Sequence, residues 1–429
     1  MKYNRFEGSR LEFKEKHTPT MLKTVSAFAN YEGGTIIVGI SNDGEIIGVE
    51  ESKKIRESIE QAINDSIEPR PNFALKEEFI ENKTLVVIEV YPGDNPPYMY
   101  KSETFKRSDT STVKVDRNEL IRLNLKGKNV SYDSMVSPNQ HLTFRTLENE
   151  FLKRNETLKI TKDVLITLRL LSNSTYNIAG LLISDDNDLD TSSVDLVLFG
   201  NSTNVIIDRV AVEKASILTQ LNEANLFFNK HYPKLEVIED RVRVHKSQIP
   251  DLAFREAIAN AIIHRDYLQA GSIKVACYDN RIEITSLGGL VEGMSESAFY
   301  NDNLSILRNP IIAQVFRRLG LIEAFGTGIG KIINTYKNSS HEPVFIIEAN
   351  FIKIILPNML YDDTKLSNEE KILNHLSIYP SITRNKTESI LNISKDRAHT
   401  LLSRMVEDGQ LKIIKQGPNS FYEVKKPFF

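Results

Sequence analysis

Residues 250–267 read PDLAFREAIANAIIHRDY, and this stretch decides how the rest of the chain is understood. A helix opens near Pro250-Asp251. Phe254, Ile258, Ala261 and Ile262 recur at helical spacing and share an apolar face. Glu256, Asn260 and His264 recur every fourth residue and line another. A carboxylate and an amide one turn apart suit work on a magnesium-bound nucleotide. The Asn260 oxygen can ligate the metal while Glu256 polarises a water for attack on a γ-phosphate. The same pattern also describes an ordinary amphipathic helix with its polar face in solvent.

Two glycine segments follow. Ser286-Leu287-Gly288-Gly289-Leu290 comes directly after a strand-like Arg281–Thr285, and Gly326-Thr327-Gly328-Ile329-Gly330-Lys331 precedes a further helix. Glycines there let backbone amides approach phosphates, and a helix N-terminus adds a favourable dipole. The second segment is not a Walker A loop: Phe325 stands where that loop needs its first glycine, and Ile332 replaces its Ser/Thr.

Upstream, EGSRLEFK (7–14) is followed by SAFANYEGGTIIVGISNDG (26–44). Thr20–Asn30 reads as a helix, Thr35–Ile40 as a strand, Ser41–Gly44 as a turn and Glu45–Val49 as the returning hairpin strand. Converging carboxylates hold divalent metals through hard oxygen ligands, and a nearby lysine offsets phosphate charge or orients water. Glu7 and Glu12 alternate sides of a strand, so they meet only if the chain bends near Gly8-Ser9; Asp43 is the best third carboxylate, and Lys14 the lysine. Solvated acids and an Asn-Asp-Gly turn account for the same residues, and spacing leaves both readings open. Lys101, Lys106, Arg107, Lys114, Arg117, Arg122, Lys126 and Lys128 make the most basic stretch, a phosphate-contact surface or a solvated face interleaved with Glu103, Asp109, Asp116 and Glu119.

The chain has 429 residues, 41% hydrophobic and 26% charged, with a formal net charge of −3. That is an ordinary globular balance over two to four domains, so nucleic-acid contact has to come from local basic faces. The single cysteine, Cys277, cannot form an internal disulfide or a thiolate zinc cage and reads as a core residue. The charged start and the lack of long apolar runs predict a cytoplasmic protein with no membrane partner. Gly127–Asn139 reads as a linker, and 140–245 shows no catalytic constellation.

Near the end, Asn368–Leu376, Thr383–Leu391 and Ser394–Asp408 read as three helices, followed by strands Leu411–Ile414 and Phe421–Val424. This is a helix-turn-helix with a β-wing whose third helix would enter a major groove. Lys395, Arg397, His399 and Arg404 lie on that helix, and Lys412 and Lys415 flank the wing. The same fold can also serve protein contacts.

These motifs carry family resemblances. Residues 1–127, through EGSRLEFK and S-A-F-A-N-x-x-G-G, resemble the AlbA-type core of Schlafen proteins and bacterial DNA-binding relatives. The resemblance implies a metal-binding triad at Glu7, Glu12 and Asp43. The order REAIANAIIHRDY, DNRIEITSLGGL, RNP, GTGIG resembles a GHKL-type (Bergerat) ATP-binding domain, in the divergent form related to the C-terminal part of RecG-like helicases. Its core falls at about 245–345 within 140–360. It implies Glu256 as base and Asn260 as ligand of Mg²⁺ or Mn²⁺, with Gly288 and Gly289 near the adenine. His264 adds to the nucleotide site, and Gly326, Gly328 and Gly330 lie near the phosphates. Ser286 stands in the slot of the adenine-reading aspartate. Residues 366–429 resemble the winged-helix tails of bacterial regulators. The expected whole is an α+β multidomain chain: a Schlafen/AlbA-type α/β domain, a GHKL-like α/β sandwich and a winged helix-turn-helix. The expected function is a DNA- or RNA-binding regulator, of transcription, responsive to ATP or a related nucleotide. A Schlafen-like metal-dependent nuclease in host defence is the alternative, and a homo-oligomer assembled through the middle region is a third reading.

Overall fold

A computed structural model describes residues 2–154, 159–200, 205–239, 242–300, 306–323, 328–339, 341–416 and 419–425. The chain forms two compact units, Met1–His231 with Pro250–Leu356, and Tyr232–Ile249 with Pro357–Phe429. The mixed helix-and-sheet architecture is the expected α+β class.

The first unit opens with a four-stranded sheet in the order Leu11–Lys14, Gly34–Val38, Lys83–Val90, Phe73–Ile80. The first pair is parallel and the others are antiparallel. Strand alternation sends Ile36, Val38, Val86 and Ile88 to one core with helices Met21–Asn30 and Ser52–Ser66. Leu11, Phe13, Ile37 and Val87 go to a second core on the other face. The SAFAN signature is structural: Ser26 donates to the Tyr98 carbonyl at 2.6 Å, and the Asn30 amide brackets Tyr98 with bonds of 3.0 and 2.6 Å. Its glycines are equally constrained. Gly33 has φ +76°, and a Cβ there would sit 2.7 Å from the Val90 carbonyl oxygen.

Two local expectations are corrected. The hairpin strand at Glu45–Val49 is reduced to isolated bridges, Ile40 with Ile46 and Lys2 with Glu45. The preceding strand stops at Val38 because Gly39 turns left-handed at φ +108°. Nor is Gly127–Asn139 a free linker. Helix Arg117–Lys128 extends into it, and Asp133, fully buried, accepts from the Ile311 and Ile312 backbone amides at 2.8 and 3.1 Å. That carboxylate caps helix Pro310–Arg318, satisfying donors that the helix itself leaves unpaired.

The unit also contains a second four-stranded sheet, Ile67–Glu68, Met99–Tyr100, Glu103–Ser108, Ser111–Lys114, and a six-stranded sheet in the order Ile206–Glu213, Ser193–Phe199, Ile273–Tyr278, Arg281–Leu287, Phe351–Pro357, Val344–Ile347. Cys277 is fully buried in it, as expected. Helix Asp251–Ile263 packs against helix Ile217–His231 and the strand Arg281–Leu287. It is buried on most of its surface, Glu256 included, so the solvated-amphipath reading does not apply.

In the second unit, helices Asn368–Ile378, Arg384–Leu391 and Lys395–Glu407 and the antiparallel strands Leu411–Gln416 and Asn419–Val424 surround a core of Ile372, Leu376, Ile382, Leu402, Met405, Leu411 and Tyr422. Ser367 and Glu370 form a reciprocal capping box on the first helix. A short strand, Ile382–Thr383, joins Asn419–Val424 as a third. The hairpin Leu235–Glu239 with Val242–Lys246 groups with this unit.

Candidate nucleotide site

A cavity of about 140 Å³ is lined by the polar face of the helix Asp251–Ile263, the glycine pair after Arg281–Leu287, and the start of helix Gly328–Thr335. Glu256, Asn260, His264, Ser286, Gly288, Gly289 and Gly328 all contribute. The structure therefore brings together residues that lie more than sixty positions apart in the sequence. Apolar Val291, Met294, Phe299 and Ile352 contribute much of the remaining wall, the mix of apolar surface and few polar groups typical of small-molecule sites. Gly330 lies in the helix Gly328–Thr335, and Gly326 falls outside the described residues.

Why glycines stand here follows from contact distances. At Gly328 a Cβ would lie 2.9 Å from the Asn260 amide and 3.1 Å from the Glu256 carboxylate, so that helix begins directly on the polar pair. Gly288 has φ +103° and would meet Asp266 at 2.9 Å. At Gly289 a Cβ would meet the carbonyl oxygens of Glu348 and Ala349, both at 2.5 Å.

Ser286 is buried and donates its hydroxyl to the Ala261 carbonyl at 2.7 Å. Its proton is thus committed, and its oxygen lone pairs remain to accept from a donor in the cavity. Glu256 is 7% exposed and held by Lys331, whose ammonium is 3.4 Å from it and 2.6 Å from Glu323. Among the described residues no cluster of three or more His, Cys, Asp or Glu could hold a metal ion. One amide oxygen and one lysine-paired carboxylate do not make a resident metal cage. They fit a Mg²⁺ that arrives with phosphate ligands, with Asn260 as the protein's contribution.

Arg308-Asn309-Pro310 carried part of the resemblance with no role assigned, and the structure gives it a positioning one. Arg308 donates from Nε to the His264 carbonyl at 2.9 Å and from Nη2 to the Gly289 carbonyl at 2.7 Å. Asn309 holds the carbonyls of Ile263 and Arg265 at 2.7 and 2.8 Å. Together they staple the end of the cavity helix to the glycine pair. Arg317, Glu323 and Lys331 were also missed; only Lys331, directly after the glycine segment, carried a signal in its spacing.

Burial, reinforced by the Arg308 charge, lowers the His264 pKa to about 4. The imidazole is therefore neutral near pH 7 and offers hydrogen bonds rather than charge. An unfolded histidine, near 6.5, takes up a proton that the folded one refuses, so this group removes stability as pH falls from about 6.5 toward 4. Denaturant melts at pH 7 and pH 5 should show wild type losing up to about 2 kcal/mol more than His264→Gln on acidification. Equal losses would contradict this placement.

The N-terminal carboxylates are not brought together. Glu12 is 5% exposed, bound by Arg107, by Lys14 at 2.6 Å and by the Thr24 hydroxyl at 3.0 Å. Glu7 accepts from the Phe13 amide at 2.7 Å, and Asp43 is exposed in its turn. With Glu12 turned inward onto cations, the expected metal triad is corrected: these three form no metal-holding group.

The expected phosphate contacts divide similarly. Arg107 is corrected: its side chain is 7% exposed, bonded to Glu12, the Thr112 hydroxyl and the Gly8 carbonyl, and not presented to a ligand. Lys106 pairs with Glu119 at 2.6 Å, Lys114 with Glu103, and Lys412 with Glu423 at 3.0 Å, while Arg404 pairs with Glu369. Arg117, Lys395 and Arg397 are exposed, as is His399. Lys395 and Arg397 lie in the first turn of their helix. Among the described residues no helix is long and apolar enough to cross a membrane.

Residues 7–116 match the family described as "Schlafen, AlbA_2". Residues 271–356 match the family described as "Putative ATP-dependent DNA helicase recG C-terminal". The second span begins after the helix that carries Glu256 and Asn260. No curated protein matches the chain. Among solved structures, a Corynebacterium diphtheriae protein is 22% identical over 97% of this chain and 92% of its own, with a TM-score of 0.49. The N-terminal domain of a RecG-related protein from Nitrosomonas europaea is 21% identical over 21% of this chain and 69% of its own, with a TM-score of 0.19.

Proposed function

We propose that this chain, which carries a Schlafen AlbA_2 region and a RecG C-terminal-like region, is a nucleic-acid-binding regulator that senses ATP or a related nucleotide. The observation that supports this most is the cavity that gathers Asn260, His264, Ser286 and the glycine pair within one fold. Ser286 accepts a hydrogen bond from an exocyclic amine of the base, in place of a carboxylate. Neutral His264 contributes a further hydrogen bond without charge. Phosphates lie toward the start of helix Gly328–Thr335, where the helix dipole favours anions and Lys331 adds positive charge. A magnesium ion carried by the phosphates neutralises their charge there, with Asn260 as its protein ligand.

Binding without rapid turnover is the favoured mode, because Lys331 already occupies the Glu256 carboxylate that hydrolysis would need as a base. The exposed Lys395 and Arg397 of the C-terminal unit, read as a winged helix, and Arg117 supply phosphate contacts to DNA or RNA.

Calorimetric titration of the full chain with ATP and Mg²⁺ tests the reading. Wild type should bind, and Asn260→Ala should weaken binding about tenfold, the loss expected from one charge-assisted contact of ~1.4 kcal/mol. Labelled RNA and DNA should be retained and not cut in Mg²⁺ or Mn²⁺. Absence of ATP binding, or cleavage that survives purification and disappears in Asp43→Asn, would overturn the proposal.

A further inference from the structure

A second cavity, of about 440 Å³, lies on the other side of the glycine pair. One wall is the N-terminal domain's last helix with its cap, through Asp116, Asn118 and Arg122. Asp266, Gln269 and Arg308 form the facing wall, and Gly288, Gly289 and Leu290 line both cavities. A backbone partition therefore separates the candidate nucleotide from the helix that directly follows the first matched region.

The partition is tied to both sides by specific bonds. His264 lines the first cavity, and its carbonyl is held by Arg308, which also holds Gly289 and reaches the second cavity. Two residues after His264, Asp266 donates its amide to the Leu287 carbonyl at 2.8 Å. The Asp266 carboxylate accepts from Gln269 at 2.9 Å and from Arg122 at 2.7 Å. Asn118 donates to the Leu268 carbonyl at 3.1 Å and Lys126 pairs with Glu292 at 2.6 Å, completing the contact. Asp266 is nearly buried and Arg122 is 44% exposed, so the guanidinium half of this latch already borders water.

We propose that the Arg122–Asp266 ion pair couples the nucleotide cavity to the N-terminal domain, so that nucleotide and nucleic acid alter each other's affinity. The two states are the helix Arg117–Lys128 docked on Asp266 and released from it. A ligand resting on His264 and the glycine pair fixes the segment 264–266 and Leu287–Leu290, which is the docking surface, and so favours the docked state. Such a ligand can shift that balance only by its differential affinity for the two states. Linkage then makes the effect reciprocal. The inference rests on the cavity holding a nucleotide, as proposed above.

Arg122 lines only the second cavity, so it makes no contact with a nucleotide in the first. Titration of the full chain with ATP and Mg²⁺ should show Arg122→Ala binding about fivefold more weakly than wild type, with Arg122→Lys recovering part of the loss. A cycle with Asp266→Asn should be non-additive, and Lys76→Ala, at an exposed pair elsewhere, should leave affinity unchanged. In wild type, ATP should shift the affinity of a fluorescent single-stranded oligonucleotide by the same factor by which the oligonucleotide shifts that of ATP, and in Arg122→Ala both shifts should vanish. Equal ATP affinities in wild type and Arg122→Ala overturn the coupling and leave the nucleotide site standing. A wild type that binds no ATP removes both.

Discussion

Replacing Arg107 by alanine should destabilise the N-terminal domain by about 3–5 kcal/mol, the cost of leaving one partner of a buried ion pair uncompensated. Glu12 would stay 5% exposed with only Lys14 and a hydroxyl in reach, and Lys14 is 26% exposed, well placed to face water instead. Arg107 also bonds the Gly8 carbonyl and lies over the Phe28 ring, so its loss loosens the first strand and the first helix together. Hydrogen exchange should report accelerated opening of Leu11–Lys14 and Glu103–Ser108 while the six-stranded sheet is unchanged. Replacing both partners, as Glu12→Leu with Arg107→Met, should recover much of the stability, because no buried charge remains and Lys14, 26% exposed, can turn to water. Unaltered exchange in Arg107→Ala would show that the pair is dispensable. Glu12→Ala is for the same reason a poor probe of chemistry, since it removes fold and carboxylate at once. Exposed Asp43 gives the cleaner test of any metal-dependent cleavage.

Gly289→Ala should abolish nucleotide binding within the range of calorimetry and cost about 1–3 kcal/mol of stability from overpacking. The added methyl would lie 2.5 Å from two carbonyl oxygens, Glu348 and Ala349, and backbone cannot rotate aside as a side chain can. Relief requires the glycine pair to shift, against the Gly288 amide bonded to Asn350 at 2.8 Å and the Arg308 bond to Gly289. The wall that moves is the wall of the cavity. Gly8→Ala is the control for a generic glycine cost: like Gly289 it is not left-handed, and a Cβ there meets open space. Retained affinity in Gly289→Ala would mean that the ligand does not rest on this turn.

What was legible in the sequence is what local spacing encodes. Helix Asp251–Ile263 could be read because its polar residues repeat every turn, and the C-terminal helices because Ser367 and Thr383 are side-chain caps. Inward-facing charge was not legible. Arg107 sits in the most basic stretch, and only its partner Glu12, ninety-five positions earlier, explains its direction. Asp133 was read as linker because its partners, the amides of Ile311 and Ile312, lie far downstream. The stapling role of Arg308 rests on two carbonyls, which leave no mark on side-chain patterns. The strand Ile382–Thr383 is too short for any alternation to declare it.

The second unit is assembled from two separate stretches of chain, and this has a consequence for the order of events during synthesis. Its hairpin, Leu235–Lys246, leaves the ribosome before the whole of Pro250–Leu356 and well before the tail that completes the unit. An isolated two-stranded ribbon is marginal in water, so it waits unformed or exposed while the cavity region is made. The second unit can therefore close only after the region between its two halves has been produced, and a ribosome that stalls within Pro250–Leu356 would display a ribbon with no partner.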